Sequence, residues 1–313
     1  MRYIFIMIKY GLTCISEILR DQDKTQAYRT MTRKRFKELG YNEGIKQLSE
    51  RILHNMRFAS VVVQHCADND IAHYRIPQSM PLMTEPTLGL KFTDLPDYDD
   101  IMIAIRNIGD TAKRLGVRIG AHPDQFVILA SPNQTVCDKS IVDLQMTGWF
   151  FDNMGLPQSH ESPINIHTSC SIKPGSSLQQ IGDRVYHNLM ACGEAVYKRF
   201  TLENEDKSSF TCETLYKLHC YICDTYNFNL PCVYDNLHDE CNPSGDNWLD
   251  VFKTTWPVDI VPVMHWSEGG NNGNKRAHVD YITENVGKPT DTSVVWELEV
   301  KAKDKAIIKL LKG

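Results

Sequence analysis

Residues 164–235 hold three short apolar runs, Ile164-Asn-Ile-His167, Phe200-Thr-Leu-Glu203 and Cys232-Val-Tyr-Asp235, with the helical patterns Ser177–Arg199 and Ser209–Tyr226 between them. A run of about four to eight apolar and β-branched residues bounded by polar punctuation reads as a buried strand. Strand, helix and strand in succession make the unit of a parallel sheet, because parallel neighbours need a crossover long enough to hold a helix. Each of these three runs also ends on a histidine or a carboxylate.

Working outward, the pattern repeats. Strand candidates Tyr3–Gly11, Tyr74–Pro77 and Val117–Ala121 precede the stretch, and Ile260–His265 and Val294–Val300 follow it. Asn42–Asn69 and Asp99–Leu115 read as further helices. About eight βα units with no change of composition between them predict an α/β fold, a (β/α)8 TIM barrel, as a single domain over residues 1–313. A doubly wound open sheet is the alternative, but no GxGxxG follows the first strand. The one irregularity is Leu12–Tyr41, a long polar stretch after that strand.

Composition narrows the class. The 313 residues are 42% hydrophobic and 23% charged, as in an ordinary globular protein, which excludes a disordered chain, a collagen repeat and a coiled coil. The formal charge of −5 announces no basic field for nucleic acid. No apolar run approaches the roughly 20 residues that span a bilayer, so no membrane partner is expected. The apolar start MRYIFIMIKYGLT lacks a small-residue cleavage site and reads as the first strand. The ten cysteines are scattered, and Cys170 and Cys232 sit in or beside strand patterns. Cys220-x-x-Cys223 has no second pair at zinc-site spacing, so reduced thiols and a cytoplasmic location are expected.

Active sites of such barrels lie at the C-terminal ends of the strands. There the chain carries His122, His167, Glu203, Asp235, His265 and Glu299; His238 follows Asp235 by one turn, and His278 follows the seventh strand. One histidine at a strand end is ordinarily structural, but the coincidence recurs over six successive units. Imidazole and carboxylate without cysteine suit Zn, Mn or Fe, and this many ligands exceed what one tetrahedral ion needs. Two or three divalent ions are the equipment of phosphodiester hydrolysis. Sugar isomerisation on a two-metal barrel is the rival reading.

At these residues the chain resembles the UvsE/UVDE family of UV damage endonucleases. The likeness rests on His122-Pro-Asp-Gln-Phe126 followed by SPN, Ile164-Asn-Ile-His167, Leu202-Glu-Asn-Glu-Asp206 and Asp235-Asn-Leu-His238. It continues through Val263-Met-His265-Trp-Ser267, His278-Val-Asp-Tyr-Ile282 and Glu299-Val-Lys-Ala-Lys303. The resemblance implies a TIM barrel similar to endonuclease IV that nicks double-stranded DNA immediately 5′ of UV photoproducts. It implies a Mn2+ cluster of up to three ions, with Zn2+ or Mg2+ as alternatives. Carried over by motif, His122, His167 and Glu203 hold one ion, and Glu203, Asp235, His265 and Glu299, the catalytic set, hold a second. His238 and His278 hold a third. Gln125 and Phe126 match the pair that wedges into the duplex at the lesion.

The departures are specific. Val263 stands where the family carries a carbamylated bridging lysine, which puts the third ion in doubt. Asp124 replaces a glycine, and aspartate tolerates left-handed geometry better than most residues. Leu12 and Ser16 replace a tyrosine and an asparagine, and Glu85 precedes Pro86 where some members have a ligating histidine. Glu297 and Glu299 face the same side of the last strand and compete for the final ligand position, with Lys301 and Lys303 beyond them; Glu299 is preferred because ExKxK follows it. Lys301 can neutralise substrate phosphate. Phosphate contacts are also expected from Arg33 and Arg35, with Lys34 and Lys37, in the basic run Arg29–Lys37, and from the loop Asn271–Arg276. The expected partner is DNA carrying UV lesions, met by a monomer. An apurinic/apyrimidinic endonuclease of endonuclease IV type is the alternative activity, and a metal-dependent sugar isomerase or epimerase a remoter one.

Overall fold

The structure, a computed structural model, describes residues 8–245, 247–270 and 274–312. Among the described residues, eight short strands alternate with helices. They are β1 (Lys9–Thr13), β2 (His73–Arg75), β3 (Arg118–Gly120), β4 (Ile164–His167), β5 (Phe200–Glu203), β6 (Cys232–Val233), β7 (Val263–Trp266) and β8 (Val295–Leu298). Every strand pairing is parallel. The strands form a five-stranded arc, β3-β2-β1-β8-β7, and a three-stranded arc, β4-β5-β6. The arcs meet through single parallel bridges, Ala121 with Ile164 and Asp235 with His265. The α/β class and the parallel sheet agree with the sequence reading, whereas its uniform barrel becomes two arcs with one-rung junctions.

All four residues of β5 and of β8 are buried, as expected of parallel strands covered on both faces. The outer cover includes α2 (Arg33–Asp68), α3 (Tyr98–Leu115), α4 (Gln134–Met154), α5 (Leu178–Cys192) and α7 (Cys212–Tyr226), with α1 (Glu17–Gln22) and α6 (Glu194–Tyr197) as short turns. Three further helices follow β6 and β8: α8 (Asn236–Cys241), α9 (Trp248–Thr254) and α10 (Asp304–Lys312). Side-chain caps mark the helix starts: Ser177 accepts from Gln180 N–H at α5, and Thr211 accepts from Thr214 N–H at α7.

Several expected boundaries shift. The helix expected over Asn42–Asn69 begins at Arg33, and Gly40, with φ 73° and ψ 167°, breaks it into two segments. That helix and α1 take up half of the polar stretch Leu12–Tyr41. The helix expected over Ser177–Arg199 divides at Gly193. The strand expected over Ile260–His265 starts only at Val263, because Ile260 closes a turn on the Pro257 carbonyl. Of the first expected strand, Tyr3–Met7 lie outside the described residues. The ten cysteines, Cys220 and Cys223 on α7 among them, are free thiols. No helix among the described residues is long and apolar enough to cross a membrane.

Candidate metal centre

Parallel register brings the polar strand ends into one layer. His167 pairs with Glu203 across β4 and β5, and His265 pairs with Glu297 across β7 and β8. The Asp235–His265 bridge brings in the residue after β6. Among the described residues, three sets of side chains have ligand atoms within 4.8 Å of one another: His122, His167 and Glu203; Glu203, Asp235 and His265; and His265, Glu297 and Glu299. Glu203 joins the first two sets and His265 joins the last two, so the candidate ligands form one continuous strip.

Glu203 is the hub. Its Oε2 lies 3.0 Å from His122 Nε2 and accepts a 2.6 Å hydrogen bond from Asn165 Nδ2. Its Oε1 lies 3.1 Å from His265 Nδ1 and 3.2 Å from His238 Nδ1. His265 Nδ1 also stands 3.5 Å from Glu299 Oε1 and 3.9 Å from Asp235 Oδ2. Arg75, from β2, contacts both Glu299 and, at 3.1 Å, Glu297.

Burial penalises each charge here, and the neighbours decide the outcome. Burial opposes ionisation of Glu203, yet the imidazoles of His265 and His167 hold its carboxyl well below the usual range. Burial raises Asp235, and the charges of Glu203 and Glu299 raise it further, only partly offset by His238. His265, resisted by burial, is pushed up to about 9 by Glu203, and burial takes His167 down to about 4. Arg75 overrides burial to keep Glu297 and Glu299 low.

The donor set fits divalent metal. Asp235 Oδ2, His265 Nδ1 and His167 Nδ1 are buried without a hydrogen-bond partner, although buried polar atoms are nearly always paired. His265 Nδ1 stands among the buried carboxylates Glu203, Glu299 and Asp235, whose charges Arg75, the imidazoles and Lys303 offset only in part. Cations at these atoms answer both deficits, and imidazole with carboxylate is the ligand chemistry of Zn or Mn.

The structure distinguishes among the expected site residues. His122, His167, Glu203, Asp235, His265 and Glu299 come together. His238 reaches Glu203, and its Nδ1 also lies 2.9 Å from the Asn204 carbonyl. His278 Nε2 lies 3.8 Å from Glu299 Oε2. Neither belongs to a set of three among the described residues. Val263 is buried in β7 and offers no ligand atom. Glu85 is engaged by Thr87 and stands 3.9 Å from Arg33. Leu12 is core, and Ser16 caps α1 while donating to Asp304.

Asp124 corrects the expectation of left-handed backbone, since it is not among the residues at positive φ. Its side chain instead accepts from Phe126 N–H at 3.1 Å, a turn that holds out a Phe126 ring 73% exposed. Gln125 and Phe126 line a groove of about 780 Å3 together with His167, His238 and His278. Arg33, Arg35 and Lys301 do not line it; Arg33 and Arg35 stand 3.9 Å from Glu85 and Glu38. Its basic residues are Lys173, Arg184, Lys207 and Arg276. Of the loop Asn271–Arg276, residues 271–273 lie outside the described residues, and Arg276 pairs with Asp206 at 3.1 Å.

Sequence reasoning missed Arg75, His73 and Asn165. The signal for the first two was present: His73 and Arg75 are two apart on one strand and so share a face. It also missed Glu205, a buried groove carboxyl that burial pushes up to about 7 and that accepts from Ser169 N–H at 2.6 Å.

Comparison with known proteins agrees with this geometry. The UV DNA damage endonuclease of Nostoc sp. is 30% identical over 310 residues, covering 96% of this chain and 88% of that relative. The crystal structure of SacUVDE superposes with a TM-score of 0.79 at 22% identity, over 98% of this chain and 97% of its own. Endonuclease IV from Thermus thermophilus shares the fold at a TM-score of 0.56 and 13% identity, over 97% and 96% of the two chains. The family model described as UV-endonuclease UvdE matches residues 8–313, which carry every strand and every ligand candidate above. A chain matched from end to end in this way, with its strand-end histidines and carboxylates gathered into one strip, belongs to the UV-endonuclease UvdE family.

Proposed function

We propose that the protein nicks double-stranded DNA immediately 5′ of UV photoproducts, leaving 3′-hydroxyl and 5′-phosphate ends. The observation that carries the reading is Phe126, a large aromatic held in solvent on the wall of a groove that also takes in His167, His238 and His278. Leaving such a ring exposed forgoes about 1.5–3 kcal/mol of burial. Stacking on a base returns about 1–3 kcal/mol, and turning out a damaged step costs less than turning out a sound one. Selection by the weakness of the lesion follows, with no reading of sequence.

Divalent ions held by the strip, manganese first, supply Lewis acidity and a water deprotonated near neutral pH. His122, His167 and Glu203 form one ligand set, and Glu203, Asp235, His265 and Glu299 the other, with Glu203 shared. Asn165 fixes the Glu203 carboxylate. Gln125 and Phe126 fill the gap left by the extruded bases. Lys173, Lys207 and Arg184 meet backbone phosphate in the groove, and Arg33, Arg35 and Lys301 extend that contact outward. The two arcs act as one single-domain (β/α)8 barrel, in a cytoplasmic monomer.

A nicking assay on supercoiled plasmid, untreated, UV-irradiated or depurinated, tests the reading. Manganese-dependent, chelator-sensitive nicking of the irradiated plasmid is expected. Nicking of the depurinated plasmid alone would replace the reading with an apurinic/apyrimidinic endonuclease.

A further inference from the structure

Glu297 shares a strand face with Glu299, yet its surroundings differ. His73 Nε2 stands 2.8 Å from its Oε1, and Arg75 Nη1 stands 3.1 Å from its Oε2. His265 Nε2 lies 3.4 Å from that same Oε2. The opposite nitrogen of the ring, Nδ1, faces Glu203, Glu299 and Asp235. The His265 imidazole therefore lies between a carboxylate already engaged by two partners and three carboxylates on the ligand strip.

The room for this arrangement is built into the neighbouring strands. A Cβ added at Gly11 would come within 3.0 Å of Glu297 Cγ, and one added at Gly120 within 3.0 Å of His73 Nε2. Both approaches are tighter than nearly all real Cβ contacts, so a side chain at either glycine of β1 or β3 would press His73 and Glu297 out of place.

We propose that Glu297 is a positioning residue rather than a ligand, accepting from the Nε2–H of His265 so that Nδ1 presents a bare lone pair to the metal. This rests on the metal reading of the strip. A neutral imidazole carries one proton, and placing it on Nε2 leaves Nδ1 as the coordinating atom. A ligating histidine ordinarily gives its other N–H to a carboxylate in this way. His73 and Arg75 flank Glu297 as ion-pair neighbours and favour its present position, while Oε2 keeps an acceptor site open toward His265 Nε2. Arg75 couples the two layers, since the same guanidinium nitrogen touches Glu299.

The test is manganese titration by calorimetry of the wild-type chain and of Glu297→Gln, Glu297→Leu and Glu299→Gln, with Co2+ absorption spectra of each. Glu297→Leu should bind the same number of ions about 10–100-fold more weakly, with the shape of its Co2+ spectrum kept. Glu297→Gln, whose amide oxygen still accepts the Nε2 proton, should recover most of that affinity and covers the case in which the leucine variant fails to fold. Glu299→Gln should alter the spectrum. Loss of a whole ion or a changed spectrum in either Glu297 variant would make Glu297 a ligand and overturn the proposal. Affinity within twofold of wild type in Glu297→Leu would overturn it as well. A wild-type chain that binds no ion would remove the metal reading itself, a result distinct from either.

Discussion

Asn165 and Glu203 stand on adjacent strands, and the Asn165 amide donates a 2.6 Å hydrogen bond to Glu203 Oε2 while its carbonyl accepts from Thr201 Oγ1 at 2.9 Å. The asparagine is thus fixed at one end and aims the shared carboxylate with the other. Replacing it leaves Glu203 without its neutral donor.

Asn165→Ala should therefore lower kcat about 10–100-fold, the usual effect of removing a group that orients a metal ligand. KM for irradiated DNA should stay within a factor of a few. Glu203→Gln, which weakens both ligand sets, should abolish nicking while the circular dichroism spectrum is retained. A kcat for Asn165→Ala within twofold of wild type would remove Asn165 from this role.

Phe126→Ala should leave the melting temperature unchanged, because the ring buries little in the free protein. It should weaken discrimination between irradiated and untreated DNA by roughly tenfold, in line with about 1–3 kcal/mol per stacked base. Competition binding with the two DNAs measures this directly.

Chelation should lower stability, because Asp235, Glu203 and Glu297 are buried carboxylates in one cluster. Ions at a hundred times their dissociation constant add about 2.7 kcal/mol. That corresponds to a rise in Tm of roughly 4 °C, read by scanning calorimetry with manganese and with EDTA.

His160 sets an acid limit on the fold away from the metal centre. Burial takes its pKa down to about 4, while its Nε2 lies 3.2 Å from the Phe200 carbonyl, which favours the protonated ring and moderates the shift. The unfolded chain, with an ordinary histidine, binds more protons than the native one between about pH 6.5 and 4. Stability is thus complete above about pH 6.5 and falls as the pH drops toward 4, by on the order of 3 kcal/mol. Urea titrations across that range should show the slope, and His160→Gln should flatten it.

The ligand strip was legible because chemistry and register coincide. The strand Ile164–His167 ends on a histidine after two isoleucines, so the histidine stands out, and its partner strand repeats the pattern at Glu203. Strand β2 gave no such contrast: it is three residues long and reads His73-Tyr-Arg75, so its inward face looked polar and was passed over. The basic run ahead of α2 was visible, but local pairing was not: Arg35 lies 3.9 Å from Glu38, one helical turn on. Asp124 was read for its backbone tolerance, whereas its side chain does the work, and a side-chain acceptor two residues before an amide is settled only by the turn itself. The helical segment ahead of Gly40 was hidden because its basic, polar residues read as part of the irregular stretch and not as a helix.

The junctions between the two arcs have a consequence for how the molecule yields. Each is a single rung, and Asp235 and His265 form one of them, while His122 directly follows the other. A one-rung ladder parts before a four-rung ladder, so the thin places in the wall fall at the ligands rather than away from them. Ions gripped by Asp235 and His265 would therefore rivet a seam that the backbone only tacks together. In such a protein, loading the cofactor and fastening the wall are the same event.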